Sequence, residues 1–179
     1  MRHTTGAALL LLAALTPLHG QSRFRAGFGA GAGLAEPLTD TRSSYSTGPG
    51  AKGELTFGLA GGPWSLRLET WYIRLHGAGP PALDFPALEI LAFTVSGVRR
   101  IGAAGRPLSA YLFAGGGAVN LEDALPFASW RTALGLQAGA GVEIGRSRLR
   151  GFIEARVLHV ATDPGTDVAA FSGGARWGL

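Results

Sequence analysis

RTALGLQAGAGVEIG (131–145), followed directly by RSRLRGFIEARV (146–157), decides how this chain folds. In the first stretch the odd positions are Arg131, Ala133, Gly135, Gln137, Gly139, Gly141, Glu143 and Gly145. The even positions are Thr132, Leu134, Leu136, Ala138, Ala140, Val142 and Ile144. One face is apolar through its middle and the other is small or charged, which is the period of two expected of a β-strand. The second stretch repeats the pattern with parity reversed: Leu149, Ile153, Ala155 and Val157 against Arg148, Arg150, Glu154 and Arg156. A tight even-residue turn at Arg146-Ser147 accounts for the reversal. If that turn is a two-residue hairpin, Glu143 and Arg150 face each other as an ion pair on the polar side.

The same alternation extends in both directions. Between 23 and 34, Phe24, Ala26, Phe28, Ala30, Ala32 and Leu34 oppose Arg23, Arg25 and four glycines. Leu55, Phe57 and Leu59 oppose Lys52, Glu54 and Thr56, and Leu66, Leu68 and Tyr72 oppose Arg67 and Glu69. Residues 88–100 and 108–119 have strand composition with weaker alternation. The chain ends with Phe171, Ala175, Trp177 and Leu179 opposite Ser172, Gly174 and Arg176. That makes about eight strands, each near the roughly 9–11 residues a tilted membrane strand needs. Long polar or Pro-rich connections (36–50, 76–86, 120–128, 162–167) alternate with short turns (61–63, 104–107, 146–147), as in an outer-membrane barrel with both termini in the periplasm.

Residues 1–20 are expected to be a cleaved signal peptide rather than part of the fold. Arg2 and His3 precede the apolar run AALLLLAAL (7–15), too short to span a bilayer, and Gly20 offers a small exit residue. The remaining 21–179 read as one domain. Mean hydropathy is +0.21, yet no later stretch is long and apolar enough for a membrane helix. With 29 Gly and only 16% charged residues, the chain would make a poor water-facing surface. There is no Cys, so no disulfide holds the exported chain together. The formal charge of +4 is not clustered with aromatics in the way nucleic-acid binding requires.

Alternation alone leaves open whether the apolar face looks into a soluble core or out into lipid. Lipid is favoured by a narrow polar face of Gly, Ser and Thr with few charges. It is favoured also by aromatics near strand ends, with Trp64 and Trp177 on one side and Trp71, Tyr72 and Trp130 on the other, where interface girdles belong. A closed barrel, moreover, leaves no backbone group unsatisfied in lipid. The fold expected is therefore an all-β, closed antiparallel up-and-down transmembrane barrel. Its terminal SGGARWGL (172–179), with Ser172, Gly174, Trp177 and Leu179, resembles the C-terminal assembly signal of outer-membrane barrels. Together with RPLSAYLFAGGG (106–117), residues 22–179 are similar to the small outer-membrane barrels of the OmpA and opacity-protein type. That resemblance implies a lipid bilayer and lipopolysaccharide as surroundings, the barrel-assembly machinery as a partner of the last strand, and a monomer. It does not imply one activity, because such folds host anchors, adhesins, channels and lipid-modifying enzymes.

The chemistry expected inside is ionic. Arg25, Lys52, Glu54, Arg67, Glu69, Glu143, Arg150, Glu154, Arg156 and Arg176 share the polar face. Buried ions must be paired and hydrogen-bonded, so a mixed-sign set suggests a network filling the bore, with a gate or narrow ion path as the alternative. The Gly-x-Gly runs at 27–33 and 139–141 do not complete a nucleotide-binding fingerprint. Glu122, Asp123, Asp163 and Asp167 match no calcium loop, and neither a metal nor a cofactor is expected. His76 and His159 fall near the outer rim. His159 is followed by Val160-Ala161-Thr162, and the hydroxyls of Ser43, Ser44 and Ser46 are not fixed near it by sequence, so no catalytic residue is assigned. A surface-interaction anchor in the outer membrane is the leading expectation. A narrow solute pore, a lipid A-modifying enzyme and a soluble secreted barrel are the alternatives.

Overall fold

The computed structural model describes residues 24–59, 62–78, 86–102, 107–123, 130–145, 147–163 and 165–178. The expected signal peptide, Leu179 and parts of the short turns lie outside them. Nine strands follow in order: β1 (Phe24–Leu38), β2 (Tyr45–Ser46), β3 (Gly48–Leu59), β4 (Trp64–Gly77), β5 (Leu88–Ile101), β6 (Leu108–Asp123), β7 (Arg131–Ile144), β8 (Leu149–Val160) and β9 (Thr166–Gly178). One 3-10 turn (Thr39–Ser43) sits between β1 and β2, and the described residues contain no α-helix.

Eight of the strands close on themselves. Each pairs antiparallel with its neighbours in the order β4-β3-β1-β9-β8-β7-β6-β5, and β4 pairs with β5 to complete the circle. The two-residue β2 adds only Tyr45↔Gly77 and Ser46↔His76 at one rim. Closure removes the free edges that a sheet this apolar would otherwise expose.

The strands run 12–16 residues, longer than the spans the alternation suggests. The excess is at the long-connection end. Of residues 36–50, expected as a loop, 36–38, 45–46 and 48–50 are strand, and β6 continues to Asp123. Two prolines disguise this. Pro37 pairs with Val168 beyond the last β1–β3 pair, Ala35↔Gly48, and Pro49 pairs with Leu34 beyond the last β3–β4 pair, Gly50↔Ile73. Each sits where its strand has become an edge on one side, and there a missing N–H costs no ladder bond.

The β7–β8 register also differs from a two-residue hairpin. Ile144 pairs with Gly151, so Glu143 stands opposite Phe152 rather than Arg150. Gly145 takes φ +150° and donates its N–H to the Pro107 carbonyl at 2.7 Å; β7 ends at Ile144, before the expected turn, and β8 begins at Leu149, so the pairing is displaced by two residues from a two-residue hairpin.

Candidate functional site

The pleat sorts side chains to two sides of the wall. Among the described residues, large apolar side chains are exposed on the outside, including Phe28, Leu55, Phe93, Leu112, Leu136 and Phe171, with Leu134 at 60% and Ile153 at 61%. Lys52, Glu54, Arg67, Glu69, Glu143, Glu154 and Arg156 are buried inside. This inverts a water-soluble barrel.

The bore is built from pairs two residues apart on one strand, so both members point inward: Lys52 and Glu54 on β3, Arg67 and Glu69 on β4, Glu154 and Arg156 on β8. Arg176 on β9 joins them. Strand β1 lies between β3 and β9 and shows the bore glycine; a Cβ at Gly29 would meet Arg176 Cγ at 2.9 Å and Glu54 Cγ at 3.0 Å. The missing side chain lets these two groups meet across β1.

Glu154 is the hub. It accepts from Arg67 Nη1 at 2.7 Å, Lys52 Nζ at 2.8 Å, Tyr111 OH at 2.9 Å and Arg176 Nη2 at 3.2 Å, and it also pairs with Arg156. Lys52 Nζ reaches Glu69 at 3.2 Å and Glu54 at 3.3 Å. Arg156 holds Glu69, with Nη2 to Oε2 at 2.8 Å, and gives a further hydrogen bond to Gln137 Oε1 at 2.8 Å. Gln137 in turn donates to Thr94 Oγ1 at 2.8 Å and Ser96 Oγ at 2.9 Å. Arg176 pairs with Glu54 and donates to Glu143 at 2.7 Å. Four carboxylates thus face the buried Lys52, Arg67 and Arg156 and the half-buried Arg176, a balance that offsets the several kcal/mol, roughly, that desolvating each ion costs.

Aromatic faces cover the cations. Arg156 lies 4.1 Å from the Trp71 ring, Arg176 4.2 Å from Phe152, and Arg67 and Lys52 each 4.6 Å from the rings of Phe113 and Phe152 respectively. Gly139 stands opposite Phe113 across β6–β7 and leaves the space its ring occupies.

Trp71 is therefore a correction. It is 2% exposed and lines the bore rather than an interface, because it shares parity with Arg67 and Glu69. Trp64, Tyr72, Trp130 and Trp177 are on the outside, and Arg99 sits 5.6 Å from the Trp64 ring. Ser172 and Gly174 face inward on β9. Arg150 reaches Glu143 diagonally at 3.4 Å, and Arg100, absent from the sequence reading, approaches the same carboxylate at 3.1 Å. Arg25 lies at the short-turn mouth, exposed, without an ion pair among the described residues. Tyr111, Phe113 and Phe152 were not placed by the sequence pattern, although their inward parity is present in it, and Gln137 lies inward as its odd position on the polar face of 131–145 implies.

Toward the long-connection end the bore changes character. Ile73, Leu75, Ile90, Val119, Val160 and Val168 are fully buried in one apolar cluster, with Trp71 at its lower edge. Among the described residues no group of His, Cys, Asp or Glu could hold a metal ion. On the outer rim His159 Nδ1 lies 2.7 Å from Asp167 Oδ1.

Among solved structures, the chain is similar to Neisserial surface protein A, with a TM-score of 0.65 and 17% identity, covering 89% of this chain and 99% of that one. It is also similar to Ail, the attachment invasion locus protein of Yersinia pestis, in complex with the heparin analogue sucrose octasulfate (TM-score 0.59, 18% identity, 88% and 99% covered). OprG from Pseudomonas aeruginosa matches with a TM-score of 0.54 at 10% identity, covering 87% and 95%. The fold is that of the small eight-stranded outer-membrane barrels. No protein-family profile and no curated protein matches the sequence, so a small outer-membrane barrel fold is reached here through side chains that differ at most positions.

Proposed function

We propose that the protein is an integral outer-membrane barrel whose bore is closed by its own side chains and which anchors a surface-facing rim. The observation that carries this is the inverted wall: a belt of exposed Leu, Phe, Val and Ile encloses buried, interlocked ions. Such a belt is stable against acyl chains and costly against water. The closed bore is supported by two successive fillings, the ion network and the apolar cluster, in a barrel just wide enough for side chains. By analogy with the fold, both termini and the short turns face the periplasm, and the longer connections face outward. A monomer in the bilayer, assembled through β9, needs no further element, because β1 and β9 already close the ring.

The rim suits interaction more than catalysis. The segments of this rim, 36–47, 76–87, 122–130 and 161–167, carry seven carboxylates and one arginine, so they favour sugar hydroxyls of lipopolysaccharide or a basic partner. A sulfated ligand like that bound to Ail would meet net negative charge. The imidazole–carboxylate pair His159–Asp167 lacks a nucleophile beside it on its strand: the residues sharing its face are Val157 and Ala161. We therefore assign no enzymatic activity.

Fractionation with gel electrophoresis tests the first half of the reading. The protein is expected in the membrane fraction, with unheated and boiled samples migrating differently; recovery in the aqueous fraction without detergent overturns it. A planar-bilayer recording tests the second half. No steady unit conductance is expected, and a conductance that changes in Glu143→Gln or Arg150→Gln would show an open path.

A further inference from the structure

The short-turn mouth of the bore opens into a cavity of about 720 Å³ lined by Arg25, Arg67, Arg100, Arg148, Arg150 and Arg176, with Glu143 as the one carboxylate among the described residues that line it. We propose that this vestibule binds a multiply charged phosphate-type anion. Glu143 already serves three guanidinium groups, from Arg176 at 2.7 Å, Arg100 at 3.1 Å and Arg150 at 3.4 Å. Arg25 and Arg148 have no ion pair among the described residues. The deeper bore offers no relief, since its remaining carboxylates, Glu54, Glu69 and Glu154, are occupied by Lys52, Arg67, Arg156 and Arg176.

The surroundings do not neutralise it either. The three short connections, 60–63, 102–107 and 145–148, contain Arg106, Arg146 and Arg148 and no Asp or Glu. A recess with several unmatched guanidinium forks concentrates anions, and the planar forks match the oxygens of phosphate better than a halide. Its volume suits a small molecule or a lipid headgroup rather than a folded partner.

The direct test is calorimetric titration of the detergent-folded protein with inorganic triphosphate at low ionic strength. Saturable binding that weakens with added salt is expected. The double variant Arg25→Gln/Arg148→Gln should weaken it by roughly tenfold or more. Glu143→Gln, which removes the competing carboxylate, should tighten it several-fold, and this gain keeps the test decisive if the double variant does not fold. Arg42→Gln at the opposite rim should change nothing. Repeating the titration in phosphatidylcholine nanodiscs with and without phosphatidylglycerol separates the sources of phosphate. Competition by phosphatidylglycerol assigns the site to a lipid headgroup, and indifference assigns it to a soluble anion. Absence of saturable triphosphate binding together with no effect of phosphatidylglycerol overturns the proposal, as does equal loss in Arg42→Gln.

Discussion

The two halves of the bore solve one packing problem in opposite ways. Near the short turns, charged groups fill it through a network converging on Glu154. Near the long connections, aliphatic side chains such as Ile73, Ile90, Val119 and Val160 fill it. The wall is continuous between them, and the same strands serve both: β4 contributes Arg67 and Glu69 to one half and Ile73 and Leu75 to the other. Backbone pairing therefore does not dictate what fills a small barrel. The ionic half holds its members in fixed geometry through many directed bonds, whereas the apolar half relies on close packing. They should fail differently.

Glu154→Gln should produce the largest effect. The amide keeps the shape but removes the charge that Lys52, Arg67, Arg156 and Arg176 share. Arg67 would retain only longer contacts, at 3.6 Å to Glu69 and 3.8 Å to Glu54. Breaking a buried ion pair from one side costs about 3–5 kcal/mol, and urea unfolding in lipid vesicles would register it. A loss under about 1 kcal/mol would mean water reaches the network and screens it. In the apolar half, Ile73→Ala should cost about 2–5 kcal/mol by leaving a cavity. Its loss should be nearly independent of salt. A strong salt dependence there would show that the two halves are coupled.

The contrast also explains what could be read in advance. Strand β7 alternates sharply because its wall separates Leu134, Leu136 and Val142 outside from Gln137 and Glu143 inside. Strands β5 and β6 alternate weakly because the bore beside them is itself apolar: Leu88, Ile90, Tyr111, Phe113, Val119 and Leu121 all point inward. Hydropathy reports the difference between two environments, and it goes silent where both are greasy although the pleat continues. The charged residues of the network were legible for the same reason, while their aromatic cover was not. Trp71 illustrates the cost of ranking residue type above parity: a tryptophan near a strand end suggested an interface, yet its odd position placed it over Arg156. The contacts of Glu143 depended on a turn whose length the local sequence does not announce.

Glu143→Gln should give the smallest loss of the three, and its size locates the boundary between the halves and the solvent. Its carboxylate is well enclosed, but two of its partners are not: the side chains of Arg100 and Arg150 are 41% and 27% exposed. Water can take over the solvation of both cations once the carboxylate is neutralised, and Arg176 keeps Glu54 and Glu154. The expected cost is about 1 kcal/mol or less, the range of solvent-screened pairs, and it should shrink further as salt is added. If Glu143→Gln instead matched Glu154→Gln in equilibrium unfolding, the mouth would be as desolvated as the centre. The vestibule arginines would then be bound into the same cooperative unit as the hub rather than standing free to meet an anion.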